Sequence, residues 1–562
     1  MKERRKLVLV ADRDVTLPWS GGSIRDRGLC EGLTDRLEVT YVILSRDVQR
    51  SKGELVPGFQ WVRLPLSRLH KAVHTLLTAG GLDLCLTYEP LLYLSPSSLY
   101  ALRSLLRDAS FFGTVYPYLF PICRRLDRRK PLIYWSHNCE GELADIWTCG
   151  ARPGLGGVIK RLIIRNERKA FQESRMVIAC SQGDLDAMEN RYGETVSEKV
   201  VIPNGVDTKN VFPAGAREKA QARSSLSIDK PLAIFVASAS WEPNGQAARF
   251  ILHHLAPNVP EVLFCLAGTI GLDLAGERPP STFSPSPFLE GWYPPEHWKG
   301  EGLTRWMGAK ARLQLPDHGG GRLLFLAAAP SSLNAARLRR FLPFLPWRTR
   351  DLEVSFQGKL LGRYEVEQGF FTPVEVEVPE GVGEVSLQAL EVNEPTAKEP
   401  RGLGMAMSQF SWAPSCGDQI IFEMEGLHNI PGAPDNVLIT GWVSDEFKRR
   451  LLHSSDVGIN PMLSGSGSNL KMLEAMAAGL PIVTTPFGAR GIDVRDGLEA
   501  MIVEPERMAD AIRSLVHSEE RMKELGRCAA AKAESAYSWK ILSQDLGKRL
   551  CSIEQCIDGE AV

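Results

Sequence analysis

The densest run of residues able to do chemistry is DVGINPMLSGSGSNLKMLEAMAAGLPIVTTPFGARG at 456–491. It reads as a strand ending at Pro461, a loop rich in Ser and Gly, and a helix that starts near Ser468 and stops at Gly479 and Pro481. Backbone N–H groups in the first turn of a helix have no partner inside it, so those near Ser468, Asn469, Leu470 and Lys471 form an anion site strengthened by the helix dipole. Lys471 adds a full positive charge. Glu474, three residues on and therefore on the same face, offers a carboxylate to a ribose diol. Amides and lysine on phosphate with carboxylate on sugar hydroxyls suit a nucleoside diphosphate. The same residues also fit an ordinary βαβ unit whose surface helix carries an i,i+3 Lys/Glu pair, and this run alone leaves both readings open. Elsewhere, Asp184 and Asp186 in GDLDAM (183–188) make an Asp-x-Asp pair of the kind that binds Mn²⁺, but Ser181 followed by Asp184 is better explained as a helix cap. No P-loop, HExxH or GxSxG pattern is present.

The elements that must position these residues alternate. KLVLVAD (6–12), LEVTYVILS (37–45), LDLCLTY (82–88), PLIYWSHN (131–138) and RMVIACS (175–181) are strand-like, and 23–35, 97–108 and 158–173 carry helical periodicity. Strand–helix alternation implies a parallel sheet with ligands at the C-terminal ends of its strands. VIPNGVD (201–207) marks a boundary, after which PLAIFVASAS (231–240), a helix near 244–255 and VLFCLAG (262–268) begin a second series. From about 272 to 425 the character changes. PPSTFSPSP (279–287) is linker-like, and LEVSFQ (352–357), LLGRYEV (360–366), PVEVEVP (373–379), EVSLQALEV (384–392) and GMAMSQFSW (404–412) alternate with period two between tight turns, as an antiparallel sandwich or jelly roll does. The βα pattern resumes with NVLITGW (436–442), DVGINP (456–461) and IVTT (482–485). An all-β block interrupting an α/β domain reads as an insertion in a surface loop, where closure entropy grows slowly with length.

Composition narrows the class. With 562 residues, 44% hydrophobic and 24% charged, the chain has the make-up of a soluble globular protein. Lys+Arg (66) nearly balances Asp+Glu (67), which gives no argument for nucleic acid as a partner. Eleven cysteines without a CxxC pair fit reduced thiols in the cytoplasm better than disulfides or a zinc site. No apolar run reaches the roughly 18–20 residues of a membrane span. The nearest is FFGTVYPYLFPI (111–122), followed by Arg124, Arg125, Arg128, Arg129 and Lys130. It reads as a buried helix-loop with a solvated basic turn, the alternative being an amphipathic segment in peripheral contact with the inner face of the cell membrane.

The 456–491 run resembles the donor-binding region of family 4 glycosyltransferases, whose last domain carries a Glu on a helix written LEAMAxGxPVV. Further landmarks stand in the family's order. SGGSIRDRG (20–28) is similar to its early glycine loop, SHNCEGELA (136–144) to its His-Asn-x-Glu turn and VIPNGVD to its interdomain segment. VASASWEPN (236–244) resembles the opening of its second domain, and LITGWVSD (438–445) the turn that faces the base. The resemblance covers roughly 1–268 and 428–545. It implies a GT-B fold of two Rossmann-like domains and retaining sugar transfer without a metal or cofactor, the nucleoside-diphosphate sugar being the donor substrate.

By the same resemblance, Gly22 lets backbone approach the donor phosphate or acceptor, and His137 hydrogen-bonds the transferred sugar. Trp442 and Val443 offer backbone groups and an apolar face to the base, Lys471 and the amides of Ser468, Asn469 and Leu470 hold the leaving diphosphate, and Glu474 holds the ribose. Two positions depart from the pattern. Ser466 stands where the family has a first glutamate, and the family's Arg and Lys at the start of the second domain are missing from ASASWEPNGQ (237–246), with Arg249 or Arg25 as partial substitutes.

The expected domains are an N-terminal, acceptor-side unit (1–210), a nucleotide-sugar unit (211–271 and 426–535), an inserted β-sandwich (272–425) and a C-terminal helix crossing back to the first unit (536–562). In the insert, GWYPPEHWKGEGLTRWMGAKARLQLP (291–316) resembles a small β-sandwich module attached to bacterial surface-glycan enzymes, and Trp292, Trp298 and Trp306 either fill its core or stack on sugar rings. The expected function is glycosyl transfer to a glycan or lipid-linked acceptor in cell-surface polysaccharide synthesis. A sugar-nucleotide epimerase or hydrolase on the same fold and a non-catalytic glycan-binding scaffold are the alternatives.

Overall fold

Short runs of Leu, Val, Ile and aromatic residues with both faces buried, such as Phe111–Val115, build the first sheet of the computed structural model. The structure describes residues 4–16, 20–45, 50–79, 92–147, 155–239, 241–276, 279–298, 302–330, 348–396, 399–465 and 469–553. The strand expected at 82–88 lies outside them. The first-sheet strands are β1 (Arg5–Ala11), β2 (Leu37–Ser45), β3 (Ser51–Val56), β4 (Phe59–Pro65), β5 (Phe111–Val115), β6 (Leu132–Trp135), β7 (Met176–Ala179) and β8 (Glu198–Val201). They lie in the order β3-β4-β2-β1-β5-β6-β7-β8, all parallel except the antiparallel edge strand β3.

The second sheet begins with β9 (Leu232–Val236) and β10 (Leu263–Ala267), and its edge strand β11 (Ser281–Thr282) follows. Ten strands then fold apart from it: β12 (Glu296–Trp298), β13 (Gly302–Met307), β14 (Lys310–Gln314), β15 (Gly321–Ala328), β16 (Thr349–Phe356), β17 (Lys359–Glu367), β18 (Thr372–Val378), β19 (Glu384–Ala389), β20 (Met405–Pro414) and β21 (Ile420–Ile421). The chain returns through β22 (His428–Asn429), β23 (Val437–Ile439), β24 (Val457–Asn460), β25 (Ile482–Thr484) and β26 (Met501–Ile502). The second sheet has the order β11-β22-β23-β10-β9-β24-β25-β26. Its parallel part, β23-β10-β9-β24-β25-β26, is the 3-2-1-4-5-6 order of a Rossmann sheet. With these GT-B halves in place, the expected α/β fold is the observed one.

The intervening strands form two antiparallel sheets, β12-β13-β20-β15-β18 with β21 on β20, and β14-β19-β16-β17. One apolar cluster draws on both, including Met307, Phe325 and Met407 from the first and Leu313, Val354 and Leu387 from the second. Because neighbouring strand residues point to opposite faces, Trp306 and Ala406 turn the other way. They join Phe264, Ile270 and Ile439 in the core of the second Rossmann half. The sheet is therefore shared between two cores. Trp292 and Trp306 are buried at 1% and 6% exposure, and Trp298 packs edge-on to Trp306 and Phe371. Of the two readings of these tryptophans, core filling is the one observed.

The helix Trp539–Ser552 leaves the second half and packs on the helix Gly21–Leu33. Leu542, Leu546 and Leu550 share a core cluster with Leu7, Leu29 and Leu33. The crossing is paired: Val206 N–H donates to Tyr537 O at 2.8 Å, and Trp539 N–H to Val206 O at 3.2 Å.

The expected burial of 111–122 is observed, with a strand where a helix-loop is expected. The run 111–122 is strand β5 followed by the short helix Phe120–Leu126, and every residue in it is buried. Its apolar face is interior, so it has no face to lay on a membrane. The hairpin β3/β4 was not anticipated at all. Among the described residues, no helix is long and apolar enough to cross a membrane. Ser181 caps the helix Gln182–Tyr192, accepting from Asp184 N–H, which leaves Asp184 in the ordinary first turn of a helix and Asp186 in the turn after it.

Candidate functional site

In a doubly wound sheet, ligands bind where the strand order reverses, beyond the C-terminal ends of the two strands that part there. In the second sheet those strands are β9 and β24. The chain leaving β9 enters the helix Glu242–Phe250, and the chain leaving β24 reaches the helix Leu470–Ala477. Lys471 joins the two. Its Nζ donates to Asn244 Oδ1 at 2.7 Å, lies 4.9 Å over the Phe235 ring and touches Met462 Sδ at 3.5 Å. The side chain is only half-buried along its length, yet the ammonium is enclosed, and burial pulls its pKa down to about 7. No side chain caps the Leu470 helix: Asn469 occupies the N-cap without a side-chain hydrogen bond, and its amide instead donates to Gly488 O at 2.9 Å. Among the described residues, no side chain accepts from the first-turn N–H groups. Ser466 and Ser468 lie outside the described residues.

In the first sheet the order reverses between β1 and β5. Arg13, beyond β1, stacks its guanidinium 4.6 Å from the ring centroid of Tyr116, the residue just after β5. Tyr116 has φ +67°, a conformation costing a non-glycine residue about 1–3 kcal/mol and held only where the surroundings impose it. His137, beyond β6, stacks on Tyr116 with centroids 4.8 Å apart. Its Nε2 is 2.9 Å from Asp26 Oδ1, although the N–H does not point squarely at that oxygen. Asp26 Oδ2 accepts from Tyr41 Oη at 2.7 Å, so the carboxylate is fixed. Burial pulls the His137 pKa below its ordinary value against the raising pull of Asp26, which keeps the imidazole neutral at pH 7.

The turn carrying His137 is held from below. Glu167 accepts from Glu140 N–H at 2.8 Å, Gly141 N–H at 2.6 Å, Tyr134 Oη at 3.0 Å and Tyr192 Oη at 2.6 Å. Glu140, buried and beside Glu167, is pushed up to about 8 and pairs with Tyr118 Oη.

Gly22 sits against this cluster. A Cβ there would lie 2.7 Å from Tyr116 Oη and 3.4 Å from His137 Nδ1, so only glycine lets the helix start this close. One residue earlier the two halves meet, since a Cβ on Gly21 would lie 2.9 Å from Leu470 Cδ1. The structure therefore brings Gly22 and His137 from one half to the same cleft as Asn469, Leu470 and Lys471 from the other.

The remaining expected residues are placed differently. Glu474 is one turn along the Leu470 helix, but its Oε1 already accepts from Lys448 Nζ at 2.8 Å. Trp442 follows β23, and its N–H donates to Pro295 O at 2.6 Å, so that amide is taken by the β-module. Val443 packs into the core below it. Arg25 is fully buried and donates to Pro203 O at 2.8 Å, and Arg249 pairs with Glu242 at 2.6 Å. Each of these two arginines thus already has a protein partner. Asp26, Arg13, Tyr116 and Asn244 went unrecognised. Their one signal in the sequence was position, just beyond the ends of strands or one turn into the glycine helix. Among the described residues, no cluster of three His, Cys, Asp or Glu side chains is gathered as metal ligands would be.

Two family models match the chain. Glycosyltransferase Family 4 matches residues 27–210 and Glycosyl transferases group 1 matches residues 417–518. Over 118 residues the chain is 28% identical to a phosphatidyl-myo-inositol mannosyltransferase of Mycobacterium leprae, covering 20% of this chain and 31% of that protein. The match thus spans about a third of that relative's length. Sucrose-phosphate synthase from Thermosynechococcus elongatus superposes with a TM-score of 0.56 at 13% identity, covering 98% of this chain and 100% of that one. HepE from Anabaena, solved in complex with UDP and glucose, superposes with a TM-score of 0.51 at 12% identity, covering 97% and 99%. At such identities these two likenesses establish the fold.

Proposed function

Since this chain is a family 4-like member of the GT-B glycosyltransferases, we propose that it moves a sugar from a nucleoside-diphosphate donor to a glycan or lipid-linked acceptor in the cytoplasm, with retention at the anomeric carbon, in cell-surface polysaccharide synthesis. The observation that carries this reading is the Lys471 ammonium, held by Asn244 at the reversal point of the second sheet, one residue from Leu470, which meets Gly21 of the first half.

As the bond from the anomeric carbon to the diphosphate breaks, negative charge grows on the leaving oxygens. Lys471 and the uncapped amides at Asn469, Leu470 and Lys471 stabilise it there. His137, neutral and steadied by Asp26 and Tyr116, exchanges hydrogen bonds with the transferred sugar. Gly22 lets the helix backbone come close. Glu474 and Lys448 act on the ribose as a pair, the carboxylate accepting and the ammonium holding it in place. A donor bound to UDP-like chemistry is supported by the HepE complex, and a lipid-linked acceptor by the mannosyltransferase relative.

The test is thermal stability of the purified protein against a panel of nucleoside diphosphates, with Glu474→Ala in parallel. A ligand that binds only the folded state raises the melting temperature, by about 2.7 kcal/mol of stabilisation at a hundredfold excess over Kd. A shift with one nucleotide that is reduced in the variant is expected, and absence of any shift overturns the reading. Donor turnover that requires an added acceptor then separates a transferase from an epimerase or hydrolase.

A further inference from the structure

Besides the core it shares with the second Rossmann half, the β-module meets that half at the turn that follows β23. That turn lies at the C-terminal edge of the parallel sheet, beside the turn after β10: a Cβ on Gly271 would fall 1.8 Å from Thr440 O. In a doubly wound sheet a nucleotide lies across the C-terminal strand ends with its phosphates at the reversal point, so a diphosphate at β9/β24 leaves the β9-β10-β23 side of this edge, and the 440–443 turn on it, to the nucleoside. The segment 293–298 of the module lies directly on the turn. Pro295 O accepts from Trp442 N–H at 2.6 Å, and a Cβ on Gly441 would meet Pro295 O at 2.0 Å. Backbone touches backbone there, with no side chain between.

This contact removes the Trp442 amide from use by a ligand. What the turn still presents is ring surface. His297, in β12, and Trp442 are both half-buried, with centroids 5.0 Å apart and planes inclined at 47°, a wedge rather than a closed stack. Trp298, by contrast, is engaged by Trp306 and Phe371.

The arm that carries His297 is rigid. Pro294 and Pro295 restrict its backbone, and Tyr293 N–H donates to Trp306 O at 2.8 Å. Glu296 accepts from Arg401 at 2.8 Å, and Arg401 is itself held by Glu399 at 2.7 Å. Such an arm offers a pre-formed surface, which costs little to order when a planar ligand arrives.

We infer that the β-module supplies one wall of the nucleobase site, with His297 and Trp442 as the ring pair that receives the base. The inference rests on the donor reading above and goes beyond it, because it makes the module part of the donor site instead of an appendage to it.

The test compares two probes on the full chain by titration calorimetry: the nucleoside diphosphate that stabilises the wild type most among UDP, GDP and ADP, and inorganic pyrophosphate, which has no base. Loss of a stacking face weakens binding roughly tenfold or more. His297→Ala and Trp442→Ala are therefore expected to weaken the nucleoside diphosphate about tenfold and to leave pyrophosphate unchanged. Lys471→Ala is expected to weaken both. His297→Gln and Trp442→Phe, with melting curves recorded alongside, serve where an alanine variant does not fold. Unchanged nucleotide affinity in the His297 variants overturns the inference, and so does equal weakening of the two probes, which would make the arm a structural support only. A wild type that binds pyrophosphate and no nucleotide overturns it too. A wild type that binds neither removes the donor reading itself, a failure visible before any variant is made.

Discussion

Lys471 shows what a single residue can reveal in a sequence and what it hides. Its neighbourhood along the chain is local grammar, a strand, a loop and an uncapped helix start, and that much was readable. Asn244 and Phe235, which enclose its ammonium, come from more than two hundred residues upstream, and no local pattern points to them. The same holds for Glu474, whose partner Lys448 sits on another helix, and for His137, whose carboxylate neighbour Asp26 is on the glycine helix. The enclosure has a measurable result. With its pKa pulled from 10.5 to about 7 by burial, the folded protein gives up a proton that the unfolded chain keeps. Stability contributed by this group therefore rises with pH from about 7 to 10.5 and is lowest below 7. A bound diphosphate restores the proton. Above pH 7, binding is expected to take up close to one proton and to weaken roughly tenfold per pH unit. Calorimetry in buffers of different ionisation enthalpy measures the uptake, and a value of zero between pH 7 and 9 contradicts the assignment.

At the level of elements, the parallel strands and the period-two strands of the β-module were legible because each pattern repeats within a few residues. Strand β5 was not. FFGTVYPYLF is apolar throughout, and periodicity cannot separate a doubly buried strand from a buried helix. The β3/β4 hairpin escaped because SKGELV has few apolar residues and the alternation of FQWVRLP changes phase between Trp61 and Val62. The expected helix near 244–255 runs from Glu242 to Phe250 and continues as one wide turn, Ile251–Leu255. Contacts between elements were even less accessible. Gly28, mid-helix, reads as a poor helix former, and the structure gives its reason: a Cβ there would fall 2.4 Å from the Trp539 ring. Gly28→Ala is thus expected to destabilise by about 1–3 kcal/mol through overpacking, in place of the slight gain alanine brings to an exposed helix. Denaturant unfolding decides the sign.

For the whole molecule, the two halves meet where Gly21 faces Leu470 and are tied where Val206 pairs with residues 537 and 539. A methyl group at Gly21 would stand between the halves without touching Lys471 or the 440–443 turn. Gly21→Ala is accordingly expected to leave nucleoside-diphosphate affinity within about twofold and to lower kcat roughly tenfold or more, because misplacing reactants by an ångström is costly. Parallel measurements of Kd and kcat check this, and equal losses in both contradict it. The motifs in order made the two-domain plan readable, whereas the sharing of one sheet between two cores was not, since Trp306 and Met307 differ only in the direction each faces. The tie at Val206 also bears on how the protein is made. Leu542, Leu546 and Leu550 complete the core around Leu29 and Leu33, so during synthesis that core must wait for a helix about five hundred residues further along the chain. At 5–20 residues per second that delay is on the order of a minute. Through it, Leu29 and Leu33 lack the leucines that cover them in the finished fold.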